Sequence, residues 1–144
     1  MIQRIQTLYL LSVFIIAGVL TNFVSFFTLN EDGRLFLTNT IMNNSVLLKS
    51  VGIFFILAAI FSLIAIFSYK KRQNQFVVNR LNILINFYLL SVLMYVSLKL
   101  SGEMQISEKG IGIYFPIVNI VLLVMANKAI KKDEDLVKSV DRLR

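Results

Sequence analysis

Four stretches of this chain contain no Asp, Glu, Lys or Arg at all: about Leu8 to Phe27, Val51 to Tyr69, Leu81 to Leu98 and Ile111 to Ala126. At about 1.5 Å per residue, a helix of some twenty residues crosses a hydrocarbon layer of about 30 Å. Inside such a layer the backbone must satisfy its own hydrogen bonds, so helices are the structure these stretches permit. The rest of the composition agrees. Of the 144 residues 57% are hydrophobic and only 16% charged, with a mean hydropathy of +0.75. Soluble domains carry about a quarter charged residues, and a disordered chain is poor in apolar ones. The expected fold is therefore an all-α integral membrane four-helix bundle forming one domain, with a tail over residues 127–144.

The first stretch follows Arg4 and so has one feature of a secretory signal. It is too long for the apolar part of a signal peptide, and no small-residue cleavage site follows it, so it reads as a span. The fourth stretch is the shortest and needs flanking residues or a thinned bilayer to cross.

Lys and Arg set the orientation, because loops on the cytoplasmic side retain them. With the N-terminus inside, that side holds Arg4, Lys70, Lys71, Arg72, Arg80, Lys128, Lys131, Lys132, Lys138, Arg142 and Arg144, eleven of the fifteen basic residues. Only Arg34, Lys49, Lys99 and Lys109 remain outside. The expectation is an up-down bundle with both termini cytoplasmic. The net charge of +7 then reflects this bias and an attraction to anionic lipid, with Lys70, Lys71, Arg72, Arg80, Lys128, Lys131 and Lys132 as a basic cytoplasmic patch. A phosphate-bearing partner such as ribosomal RNA is the sharper alternative, but no interleaved aromatics accompany these residues.

Cys, His and Trp are absent. Thiolate and imidazole metal sites, haem held by His, and Ser–His–Asp or Cys–His nucleophiles are thus excluded for this single chain. No cofactor or metal is expected. No ionisable Asp, Glu, Lys or Arg lies inside the four stretches, which argues against a self-sufficient pump or antiporter. The acids Glu31, Asp32, Glu103, Glu108 and Asp133 to Asp135 read as solvated surface charges, with no pair spaced for acid–base chemistry.

What is polar at depth is amide and hydroxyl. Asn79, Asn82 and Asn86 stand three and four apart, on one helix face, and Tyr88, Ser91 and Tyr95 follow. Such a face points at another helix, each hydrogen bond contributing about 1 kcal/mol. Asn22 and Asn119 are candidate partners, so Asn22, Asn82, Asn86 and Asn119 are expected to act as interhelical contacts. Lining a site for a polar molecule is the alternative. Ala58, Ser62 and Ala65 form a small-residue stripe for close helix packing, against this chain or another. Pro116 marks a helix start or mild kink and leaves the carbonyl of Gly112 without its intrahelical partner.

The loop from Thr28 to Ser50 begins with a turn at Glu31-Asp32-Gly33. Leu35, Phe36, Leu37, Ile41 and Met42 make it too apolar for free solvation, so it lies on the outer interface or packs on the helix ends. The triplet Asn43-Asn44-Ser45 matches a glycosylation pattern that arises often by chance. The tail NKAIKKDEDLVKSVDRLR is rich in helix formers and pairs Lys131 with Asp135 and Glu134 with Lys138 at the spacing of helix-surface ion pairs. Ala129, Leu136, Val140 and Leu143 give it an apolar side, so it reads as an amphipathic extension of the fourth span, for docking a partner or lying on headgroups.

Three stretches, MIQRIQTLYL, RLNILINF and MANKAIKKDEDLVKSVDRLR, together resemble an uncharacterised family of small four-span membrane proteins of Bacteroidota, a domain of unknown function. The resemblance covers essentially the whole chain. It implies an inner-membrane location and four helices, and carries no catalytic residues. Two functions are weighed from the residues. One is a non-catalytic accessory or assembly subunit of a larger inner-membrane complex, such as translocation and insertion machinery or a respiratory complex. The other is a small-molecule or lipid-binding membrane protein or homo-oligomeric carrier, with Asn82, Asn86, Tyr88, Tyr95 and Asn119 lining the site.

Overall fold

A computed structural model describes residues 3–29, 33–42, 44–103 and 106–144. Four helices are long and apolar enough to cross a membrane: Ile5–Phe23, Val46–Lys70, Arg72–Leu98 and Ile111–Arg142. The first comprises α1 (Gln3–Phe14), a π-helical segment (Ile15–Leu20) and the short α2 (Thr21–Phe23). The second is α4 (Val46–Phe67) with a closing 3-10 turn (Ser68–Lys70), the third α5 (Arg72–Glu103), and the fourth a 3-10 turn (Ile111–Tyr114) leading into α6 (Phe115–Arg142).

These four pack in a closed ring in which α1 touches α4 and α6, and α5 touches α4 and α6. Two apolar clusters fill it. Leu10, Val13, Ala65, Leu123 and Ala126 form one, at the end of the ring near Lys70 and Arg72; Phe26, Leu48, Val51, Phe55, Leu89, Leu93 and Val96 belong to the other. Ile53, Ile56, Ile60, Leu84 and Val121 stay exposed on the outside of the helices, as lipid-facing positions do.

The helices end elsewhere than the charge-free stretches suggest. The first stretch runs to Phe27, but its helix stops at Phe23 and Val24 is extended. Phe26 and Phe27 are buried, and Phe26 stacks on Phe55 with ring centroids 5.1 Å apart. Aromatic packing under the bundle end thus replaces a last helical turn. The third helix starts at Arg72 rather than near Leu81, because Gln75 and Asn79 turn inward while Gln73, Asn74, Val77 and Arg80 face out. The fourth continues unbroken to Arg142.

At the opposite end from Arg72 the connections form a small antiparallel sheet of β1 (Phe27–Leu29), β2 (Gly33–Leu35) and β3 (Ile106–Lys109), with β1 in the centre. Glu31, Asp32 and Asn43 lie outside the described residues. The loop packs on the helix ends: α3 (Leu37–Met42) buries Leu37 and Thr40, and Ile41 sits against Gly52. Gly110 and Gly112 donate their N–H groups to the carbonyls of Phe26 and Ser25, at 2.8 and 3.2 Å. A Cβ on Gly110 would overlap the Ser25 carbonyl, so glycine is what lets the two strands of chain meet. Pro116 stands in the first turn of α6, where its missing N–H costs nothing. The Gly112 carbonyl, which Pro116 deprives of its α-helical donor, accepts instead from the Phe115 N–H in the preceding 3-10 turn.

Candidate functional site

Eight residues of α5 alternate three and four apart and face the bundle interior: Arg72, Gln75, Asn79, Asn82, Asn86, Leu89, Leu93 and Val96. This is the spacing of a helix seam packed between neighbours. From Gln75 to Asn86 the seam is all amide, and from Leu89 onward all aliphatic. Every member after Arg72 is buried, with Asn79, Asn82 and Asn86 at 0% exposure.

Asn82 and Asn86 are held from three sides. Asn82 Nδ2 donates to the Ala58 carbonyl and to Ser62 Oγ, both at 3.1 Å. Asn86 Nδ2 donates to the Asn82 carbonyl at 2.9 Å and to Asn82 Oδ1 at 3.1 Å, and Asn119 Nδ2 donates to Asn86 Oδ1 at 3.2 Å. The chain of amides thereby links α4, α5 and α6. Ala58, Ser62 and Ala65, each fully buried, are the small residues that let α5 come close enough to reach a helix carbonyl. The neighbour their stripe serves is therefore a helix of this chain.

Other expected members lie elsewhere. Asn22, expected among the interhelical contacts, is exposed and donates to the Gly18 carbonyl of its own helix at 2.7 Å. Two residues past the π-helical segment, Asn22 satisfies itself locally. Tyr88, Ser91 and Tyr95 are on an exposed face: Tyr88 donates to Ser50 Oγ at 3.3 Å and packs its ring on Phe54 at 4.4 Å, and Ser91 donates to the Phe87 carbonyl.

Asn79 differs from its neighbours on the seam. Neither Nδ2 nor Oδ1 of Asn79 has a hydrogen-bond partner, and Gln6 Nε2, Asn119 Oδ1 and Asn127 Oδ1 are likewise buried without one. Sequence reasoning named Asn79 but passed over Gln6 and Gln75, which lie outside the charge-free stretches. The signal that finds them is the three–four spacing of the inward positions, which continues back into the residues before each apolar run.

At the Arg72 end the seam closes on an ion pair, Arg72 Nη2 to Asp133 Oδ2 at 3.2 Å, with side chains 28% and 13% exposed. Lys138 Nζ meets Glu134 Oε1 at 2.8 Å; these are the two ion pairs among the described residues, and Lys131 and Asp135 do not form one. The guanidinium of Arg80 lies over the Phe76 ring at 4.3 Å. Lys70, Lys71, Lys128, Lys131 and Lys132 are exposed. Two open grooves lie here. One of about 580 Å³ is lined by Tyr69, Lys70, Arg72, Gln73, Glu134 and Val137. The other, about 420 Å³, runs along α6 beside Lys128, Lys131, Lys132 and Leu136.

Beyond Ile130, α6 has no buried residue. Leu136, Val137, Val140 and Leu143 are exposed on it, Leu143 at 88%.

Residues 2–143 match the model of a family described as a domain of unknown function, DUF4293. No curated protein and no solved structure matches the chain.

Proposed function

The chain belongs to the DUF4293 family of unknown function, and on that premise we propose that it is a non-catalytic accessory or assembly subunit of a larger bacterial inner-membrane complex. In this reading the bundle is up-down, the Arg72 end and both termini are cytoplasmic, and the basic residues there sit at the level of anionic headgroups. The observation that carries it is the free end of α6. The last buried residue of the helix is Ile130 and its last contact across the bundle is the Asp133 ion pair, after which it continues unbroken to Arg142 with Leu136, Val137, Val140 and Leu143 exposed. A helix anchored as a membrane span and presenting a polar–apolar face beyond it suits insertion into a groove of another subunit. Translocation and insertion machinery, where the basic face would stand near the ribosome, and respiratory complexes are the candidate hosts.

The test is a pull-down from native membranes in mild detergent through a tag after Arg144, with mass spectrometry. Stoichiometric recovery of a defined complex, lost on Leu136→Asp with Val140→Asp, supports the reading. Recovery of the chain alone, running at its own mass, overturns it.

Small-molecule or lipid binding is the second reading. The groove lined by Lys70, Arg72 and Gln73, with Glu134 as its one acid, favours it, since juxtamembrane basic residues attract anionic headgroups. Co-purification of an anionic lipid, reduced by Lys70→Gln with Arg72→Gln, is the measurement that would bring it forward.

A further inference from the structure

The amide seam of α5 contains one position that the protein itself does not satisfy. Arg72 and Asn86 are separated by fourteen residues along α5, and their partners Asp133 and Asn119 by fourteen along α6. The two helices thus run antiparallel in constant register between these contacts, over about 21 Å at 1.5 Å per residue. Asn79 is midway, level with Ala126. On α4, Ser62 and Ala65 occupy the turns beside it, since Asn82 one turn further on bonds Ser62. The surrounding cluster is Leu10, Val13, Ala65, Leu123 and Ala126, flanked by Val78 and Ile83. Asn79 therefore presents a donor and an acceptor, both without partners, beside Ala65, Ala126 and aliphatic side chains, with the likewise orphaned Asn127 Oδ1 one residue beyond Ala126 on α6.

An amide left bare in such surroundings is costly, and the residues that the register sets opposite it, Ala65 and Ala126, are small. Between Arg72 and Val96 the inward positions of α5 carry no formal charge, so an ion entering here would lose its hydration without a counter-charge. The occupant that fits is neutral and both gives and takes a hydrogen bond.

We propose that ordered water occupies the bundle core at Asn79, bonded to its Nδ2 and Oδ1, with the Ser62 hydroxyl as a third partner. Buried water makes about three such bonds to groups that otherwise have none. The water completes the polar track between the Arg72–Asp133 pair and the Asn82–Asn86–Asn119 network. Leu89 and Leu93 end it on the sheet side, so it is a closed site and not a path across the membrane.

The experiment is water–protein cross-relaxation NMR on the full chain, labelled with nitrogen-15 at asparagine and carbon-13 at leucine methyls, in deuterated detergent. The expected result is a cross-peak from long-lived water to the Asn79 side-chain amide and none to the Leu89 or Leu93 methyls. Asn79→Leu, of the same shape as the amide, must abolish that peak. Asn79→Ser, a smaller side chain, serves the same assignment if the leucine protein does not fold. Absence of the peak overturns the proposal, as does a peak that survives the substitution or an equal one at the two leucines.

Discussion

Along a single face of α5 two kinds of interior meet end to end. From Gln75 to Asn86 each buried side chain is an amide; from Leu89 to Val96 each is aliphatic. Both halves are equally enclosed, but they are held by different forces. In lipid an aliphatic side chain gains little by leaving the hydrocarbon, so Leu89 and Leu93 contribute through close contact with Phe26, Phe55 and Val51. The amides gain from directed bonds, and each must find a partner. One half tolerates any well-fitting shape, whereas the other tolerates only a complete network.

Putting an amide into the aliphatic half is the severest way to break this contrast. Leu93→Asn is expected to cost about 3–5 kcal/mol, because it removes packing and buries a group with nothing to bond. Thermal unfolding in mild detergent reads it; a loss below about 1 kcal/mol would show that the aliphatic half accommodates an amide without a partner and would erase the contrast. Leu89→Ala removes packing alone and is expected to cost about 2 kcal/mol, near the low end for a buried leucine because the transfer contribution is small in lipid. Full recovery with a bulkier neighbour in place of Val92 would sharpen the claim that contact is what was lost.

In the amide half, Asn82→Leu is expected to cost about 1–2 kcal/mol, since the Ala58 carbonyl and Ser62 hydroxyl each lose a donor. Equal stability of the variant would demote the network to incidental contact. The smallest effect belongs to the end of the seam. Asp133→Asn weakens a pair that is partly open to solvent and is expected to cost less than about 1 kcal/mol. The loss should shrink in high salt, and a salt-independent loss would point to packing instead.

The four helices long and apolar enough to cross a membrane were legible because charge is so costly in hydrocarbon that its absence over a long run has few other meanings. Their ends were not. Gln75 and Arg72 precede the apolar run of the third span, yet they are helical because the seam, not the run, sets where α5 is packed. At Phe26 and Phe27 hydropathy misleads in the opposite sense: the residues are apolar, but their place is beneath the bundle in extended chain. The asparagine face was readable from its spacing, and Asn119 fell within it. Asn22 did not, because the π-helical segment over IIAGVL turns the residues after it, and that hexapeptide has no distinguishing composition. Whether an asparagine is bonded or bare depends on which residue a second helix brings opposite it, as the difference between Asn82 and Asn79 shows.

The two ends of the ring are fastened unequally. At the sheet end, backbone bonds from Gly110 and Gly112 to Phe26 and Ser25 tie the segment leaving the first span to the one entering the last. At the other, among the described residues, one ion pair joins α5 to α6. The first fastening is made by backbone groups and is indifferent to salt, whereas the second is made by two side chains, so ionic strength or one substitution undoes it while the sheet end stays tied.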